Sequence, residues 1–180
     1  MPIPKISGEF YSENNYSAFT GENFNITLLN AKSKVSKHTD ISFGFGNVWT
    51  YTEKKHKNVP AFEGIFNVNI NDNLNTYARY RKFGKIDEYR VGFQGTCGIK
   101  SNQSIYAGTH YTVTRDEEWK RATGYWLGYD YEFKNGVSVS AEYEQGIELG
   151  GNNPSIGQTL GSFNDSNKTF NLVLSIPIGK

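Results

Sequence analysis

Residues 124–144, GYWLGYDYEFKNGVSVSAEYE, contain two runs in which large apolar or aromatic side chains take every second position. Glycine, serine or an acidic residue occupies most of the positions between them. The dipeptide Asn135-Gly136 separates the two runs and is typical of a tight β-hairpin turn. This stretch therefore predicts two antiparallel strands, each with one apolar and one polar face.

The same period-two alternation recurs along the whole chain. It predicts about ten strands of roughly 9 to 12 residues, the length that a tilted strand needs to cross a bilayer. The runs that carry the alternation are Ile6–Phe10, Phe24–Leu28, Ile41–Phe45, Phe62–Ile70, Thr76–Arg81, Tyr89–Ile99, Ile105–Val113, Tyr125–Phe133, Val137–Tyr143 and Phe170–Ile178. No helical periodicity of useful length competes with this pattern.

The connections between the predicted strands alternate in length. Short connections at 71–73, 101–103 and 134–136 are expected on one rim, and long polar ones at 13–22, 52–60, 115–121 and 146–167 on the other. Two connections depart from the rule, because 31–39 is long on the short rim and 84–87 is short on the long rim. Short turns at one end and long loops at the other are typical of outer-membrane barrels with an even number of strands.

Composition limits the remaining possibilities. The 180 residues carry a formal net charge of +1, which gives no electrostatic reason to expect a nucleic-acid partner. The single cysteine, Cys97, has no partner for an internal disulfide or a Cys-x-x-Cys metal site. Apolar runs such as 172–174 are far shorter than the roughly 20 residues of a membrane-spanning helix. The given chain begins MPIPKISGEF without an apolar segment, so we expect no signal peptide within it.

Residue size predicts which face of the barrel meets the membrane. Tyr, Phe, Leu and Ile crowd the apolar face, including Ile26 and Leu28 of the second strand, and are too bulky to share one narrow interior. We therefore expect this face to point outward to lipid and the polar face to line the lumen. Aromatic residues near the strand ends are expected to form girdles at the two membrane interfaces. The candidates are Trp49, Tyr51, Trp119, Tyr131 and Phe133.

This layout resembles that of small Gram-negative outer-membrane β-barrels of the porin-like kind, and the resemblance covers essentially the whole chain. It implies an all-β fold, a closed antiparallel up-and-down transmembrane barrel of about ten strands, with eight as the alternative. Such barrels usually end in a strand whose last residue is aromatic. Here the closing strand ends Ile178-Gly179-Lys180, which departs from that pattern.

Charged residues on the predicted inner face identify a candidate constriction. Arg79, Arg81 and Arg90 belong to the fifth and sixth strands, whereas Glu9, Glu142 and Glu144 belong to the first and ninth, and we expect the two groups on opposite walls. Together with Glu63 they are expected nearer to the long loops than to the short turns. Opposed charged walls create a transverse field that orients polar solutes. The alternative is that the same charges pair across the barrel and plug it.

The histidines give little indication of an active site. His38 falls in a turn and His56 in a lysine-rich loop, while His110 faces inward at the level of Trp126 rather than Asp130. We therefore expect no enzymatic activity, no metal and no cofactor, since the sequence also contains none of the usual catalytic or metal-ligand motifs. The long segment 146–167 is a candidate gate or contact for a surface partner, still unknown.

The sequence as a whole predicts one barrel domain, 1–180, located in the cell outer membrane. Its expected function is passive, weakly selective passage of ions or small polar solutes, with membrane lipid as its other contact. Two alternatives stay open. The first is a plugged structural or adhesive barrel that acts through its external loops. The second is a soluble calyx-type barrel that binds a hydrophobic ligand.

Overall fold

The computed structural model describes residues 6–17, 23–52, 55–115, 119–148 and 168–178. These residues form ten strands that pair in sequence order, and the first strand pairs with the last. The strands are β1 (Ile6–Ser17), β2 (Asn23–Lys34), β3 (Thr39–Thr52), β4 (Lys55–Asn71), β5 (Leu74–Phe83), β6 (Ile86–Lys100), β7 (Gln103–Arg115), β8 (Trp119–Glu132), β9 (Ser138–Glu148) and β10 (Lys168–Ile178). The predicted closed antiparallel ten-stranded barrel is confirmed, and the eight-stranded alternative is wrong.

Closure depends on the pairing of β1 with β10. Ten residue pairs join these strands, from Gly8 with Ile178 to Ser17 with Thr169. The backbone groups of the sheet therefore have partners on both sides of every strand, which removes the open edge that lipid does not tolerate. Within the described residues, no helix is long and apolar enough to cross a membrane.

Tight connections lie at what we call the short-turn rim. Residues 72–73 and 101–102 are two-residue turns, and Gly136 adopts a positive φ of 83° in the turn after β8. At the opposite end, the loop-side rim, β5 and β6 are joined by Gly84 and Lys85, and Gly84 also has a positive φ. Glycine fits both positions because it lacks the Cβ that penalises this conformation.

Several strands extend beyond the predicted ends. The segment 52–60 was expected as a long loop, but β3 continues to Thr52 and β4 starts again at Lys55. The predicted loops 13–22 and 115–121 are similarly shortened, since β1 reaches Ser17 and β8 begins at Trp119. The backbone hydrogen bonds of these hairpins continue past the end of the apolar alternation. The sequence pattern therefore underestimates strand length at this rim.

The predicted faces are correct for nine strands and wrong for β2. Large apolar side chains stand exposed on the outside, as for Phe45 at 68%, Leu127 at 57% and Phe93 at 55%. In β2, however, Ile26 and Leu28 are buried inside, and Leu29 is the exposed residue at 61%. Leu28 is paired with Tyr11 on one side and with Gly46 on the other. Gly46 has no side chain, which leaves room for Leu28 inside the barrel. Because a one-residue change of phase exchanges the two faces, Asn25 and Thr27 of this strand point outward.

Candidate functional site

The inner wall carries aromatic side chains as well as charges. Trp126 stacks on His110, with ring centroids 5.6 Å apart, and also contacts Tyr77 at 6.1 Å. Inner glycines make room for these rings. A Cβ built on Gly108 would lie 2.2 Å from Trp126, and one on Gly128 would lie 2.2 Å from Tyr106. Aromatic rings thus fill part of the lumen beside the charged side chains.

A group of charged side chains crosses the lumen on the loop side of Tyr11. We call this group the charged layer, and its members are buried or nearly so. They are Glu13, Glu63, Arg79, Arg81, Glu88, Arg90, His110 and Glu144.

Arg81 makes the first cross-lumen connection. Its guanidinium binds the Glu63 carboxylate on the neighbouring strand β4, and Nη2 lies 3.3 Å from Oε2 of Glu13 on β1. Strands β1 and β5 are not neighbours in the sheet, so this ion pair spans the interior. The hydroxyl of Tyr11 also donates to Glu13 at 2.7 Å.

Arg90 makes the second cross-lumen connection. Its Nη1 on β6 lies 3.3 Å from Oε1 of Glu144 on β9, with two strands between them in the sheet. Glu88 lies near two guanidiniums, at 2.8 Å from Arg79 Nη2 and 3.8 Å from Arg90 Nε. Cations and carboxylates thus alternate across the barrel, which offsets the cost of burying each of them.

His110 completes this network at the wall. Its Nε2 lies 3.0 Å from Oε1 of Glu144, and its Nδ1 lies 2.9 Å from the hydroxyl of Thr112. A hydroxyl, an imidazole and a carboxylate in this order are also the parts of a nucleophilic triad. The His110 side chain is fully buried and Thr112 is 1% exposed, so no substrate can reach the hydroxyl in this state. The arrangement therefore fits a structural network better than an active site.

The structure brings most of the predicted lumen residues together. Arg79, Arg81, Arg90, Glu63 and Glu144 belong to the charged layer. Arg90 pairs with Glu144 across the lumen, whereas Arg81 with Glu63 and Arg79 with Glu88 join neighbouring strands. Glu142 is held by the Asn171 amide at 2.9 Å. Glu9 was expected in the loop-side half, but it binds Lys32 at 2.7 Å and Ser175 near the short-turn rim.

Two acidic members of the layer were missed in the sequence. Glu13 was placed in the first long loop, although it continues the inner alternation of Glu9 and Tyr11. Glu88 lies two residues before Arg90 and hence on the same face. Extending the period-two pattern to the true strand ends would have found both.

The predicted girdle residues lie near the two ends of the barrel. Trp49 is 41% exposed and Trp119 is 58% exposed in the loop-side half, and Trp119 contacts Tyr89 at 6.2 Å. Tyr131 packs edge-on against Phe133 at 4.8 Å at the short-turn rim. The side chain of Tyr51 lies outside the described part of the chain, as do residues 149–167 of the predicted gating loop.

A polar vestibule lies on the short-turn side of the charged layer. Its volume is about 690 Å³, and its lining includes Lys32, Lys34, Asp40, Ser42 and Asn67. Cross-strand pairing places Lys34 opposite Asp40. No group of three or more potential metal ligands occurs among the residues described by the structure.

No protein family model matches the sequence, and no curated protein matches it either. Among solved structures, OmpT of Vibrio cholerae is 18% identical over 88% of this chain and 57% of its own, with a TM-score of 0.41. The KdgM porin is 12% identical over 96% of this chain and 99% of its own, with a TM-score of 0.43. Acinetobacter baumannii OccAB3 is 11% identical over 87% and 48%, with a TM-score of 0.40. The chain thus spans about half the length of OmpT and OccAB3.

Proposed function

We propose that this chain is a porin-like barrel of the outer membrane in which the charged layer controls the passage of ions and small polar solutes. The observation that carries the proposal is the pair of cross-lumen connections, Arg81 with Glu13 and Arg90 with Glu144. Both join strands that are not neighbours in the sheet. Any solute that crosses the lumen must pass between these side chains.

The outer surface supports a membrane location. Phe43, Phe66, Val91 and Leu127 are at least half exposed on strands spread over the circumference. An apolar surface of this extent is costly in water and is stable in hydrocarbon. The soluble calyx alternative requires the reverse arrangement, with the apolar side chains mostly inside.

The charged layer closes the lumen in the described state. Glu63 and Glu88 are each 3% exposed, and Arg81 is 5% exposed, so water has almost no access to their surfaces. Conduction then requires the cross-lumen ion pairs to exchange for water. We therefore expect a low or intermittent conductance from the unmodified protein.

Single-channel recording of the detergent-refolded protein in a planar bilayer tests the proposal. We expect Arg90→Ala to increase the open-channel conductance several-fold and to favour cations, because it removes a cross-lumen bridge and leaves Glu88 and Glu144 behind. Arg121→Ala is the matched control, since this arginine is exposed near the loop-side end of β8. Equal conductance and ion selectivity in Arg90→Ala and Arg121→Ala would refute control by the layer.

The burial of the charged layer also favours a second candidate function, a plugged barrel that acts through its external loops. Its signature is insertion without conductance in both the unmodified protein and Arg90→Ala. Failure of the refolded chain to insert would refute the membrane location itself.

A further inference from the structure

On β1 to β3, the loop-side half of the outer surface is more polar than the same part of β4 to β9. On strands β4 to β9, the loop-side half of the outer face carries rings, namely Phe62, Tyr80, Tyr89, Tyr111, Tyr125 and Tyr143. On β1 to β3, the corresponding part carries uncharged polar side chains. We call this set the outer amide patch, and its members are Ser12, Asn14, Asn25, Thr27 and Asn47.

Cross-strand pairing makes the outer amide patch continuous. Ser12 is paired with Thr27 and Asn14 with Asn25, while Thr27 is paired on its other side with Asn47. The Asn25 amide donates to Asn14 Oδ1 at 2.9 Å and to Ser12 Oγ at 3.1 Å, and Thr27 donates to Asn25 Oδ1 at 2.8 Å. The patch is therefore a fixed arrangement of hydrogen-bonding groups.

The outer amide patch lies within the apolar surface rather than beyond it. Leu172 is paired with Asn14 and is 41% exposed. On the short-turn side, Leu29 and Phe45 are 61% and 68% exposed, and on the loop side Trp49 follows Asn47 by two residues on the same face. Asn25 is paired with Trp49, so with Trp49 at the membrane interface Asn14 and Asn25 lie at the interface, and Ser12, Thr27 and Asn47 lie next to it on the hydrocarbon side.

Part of the hydrogen-bonding capacity of the patch is unused. Within the described residues, neither the Asn14 amide nitrogen nor the Asn47 side chain has a hydrogen-bond partner. Lipid tails cannot satisfy such groups, and polar side chains in membranes accordingly associate with other polar side chains. A polar partner must cover this part of the barrel.

We propose that a second copy of this chain covers the outer amide patch, so that the barrel is a dimer with β1 to β3 of each copy at the interface. Each asparagine offers both a donor and an acceptor and carries no charge, so the patch is complementary to itself when turned by a two-fold rotation. An interface between identical copies requires this self-complementarity. The inference rests on the proposed membrane location of the barrel.

The mass of the purified full-length protein in detergent and its cross-linking in lipid vesicles test the dimer. We expect a two-chain mass for the unmodified protein and a one-chain mass for the triple variant Asn14→Leu, Asn25→Leu, Asn47→Leu. Asn47→Cys, in a Cys97→Ser background, is expected to form a cross-linked dimer with a short bis-maleimide. Thr109→Leu with Gln145→Leu, on the outer face of β7 and β9, is the matched control and is expected to stay dimeric.

Each of the remaining outcomes contradicts either the dimer alone or both the dimer and the membrane location. A one-chain mass with normal vesicle insertion would overturn the dimer and leave the patch to lipid or to a different protein. A dimer that persists in the triple variant would place the interface elsewhere and also overturn the inference. Absence of vesicle insertion would instead remove the membrane location on which the inference depends.

Discussion

At the scale of single residues, the inner glycines determine how tightly the barrel interior packs. Gly108 faces the Trp126 ring, and a Cβ at this position would lie 2.5 Å from the Phe93 carbonyl oxygen as well as 2.2 Å from the ring. The ring can turn away only at the expense of its contacts with His110 and Tyr77. The Phe93 carbonyl oxygen belongs to the backbone of β6 and cannot move away by a side-chain rotation.

We therefore expect Gly108→Ala to lower the free energy of unfolding by about 1–3 kcal/mol, the usual cost of an overpacked interior. Gly98→Ala is the matched control, because a Cβ there meets nothing within 4 Å. Urea titration of both variants in the same detergent, followed by tryptophan fluorescence, measures the difference. Equal midpoints for the two variants would contradict the described packing of Trp126.

At the scale of the strand, β2 has the opposite polarity to its neighbours. Its inner residues Ile26 and Leu28 pack with Val48, Ala61 and Phe83 in an apolar cluster on one inner wall. Its outer residues Asn25 and Thr27 belong to the outer amide patch. The loop-side half of this strand thus supplies both an apolar interior and a polar exterior.

The phase of β2 can be tested with two adjacent leucines. We expect Leu28→Ala to destabilise the detergent-solubilised barrel by about 2–5 kcal/mol, as for other buried leucines. Leu29→Ala is expected to change the free energy of unfolding far less, since its side chain is 61% exposed. If urea titration shows the larger loss for Leu29→Ala, the strand has the opposite phase.

The sequence predicts most strand faces because apolar residues outnumber polar ones on a single face in nine strands. In β2, Leu28 and Leu29 are adjacent, so apolar residues occur on both faces and the pattern fits either phase. Only the pairing of Leu28 between Tyr11 and Gly46 resolves this ambiguity. An isolated strand cannot reveal that pairing.

The sequence predicts some members of the charged layer but not their connectivity. The alternation predicts Arg81, Arg90 and Glu144 on the inner face, and in the structure these three side chains are buried. Which carboxylate each arginine reaches depends on how β5 faces β1 and how β6 faces β9 after closure. That relation is set by the register of every intervening strand pair, and the sequence pattern does not determine it.

At the scale of the whole molecule, the charged layer divides the interior into two unequal parts. The apolar cluster that includes Ile26, Val48 and Phe83 lies beside the layer, since Ile26 is paired with Glu13. The short-turn part is the polar vestibule of about 690 Å³. The barrel is therefore asymmetric along its axis.

The interior is therefore accessible from the short-turn end, and the charged layer separates it from the loop-side end. A water-soluble reagent that cannot cross membranes should reach the vestibule only from the compartment that faces the short turns. We expect Lys34→Cys, in a Cys97→Ser background, to react with an impermeant maleimide from that compartment and to be protected from the other. Labelling of oriented vesicles from each side measures the difference, and equal labelling would show that solutes of this size cross the layer.

In a cell envelope, such a barrel would hold the solutes of one compartment as far as the charged layer, and their passage to the other compartment would depend on exchange of the cross-lumen ion pairs for water.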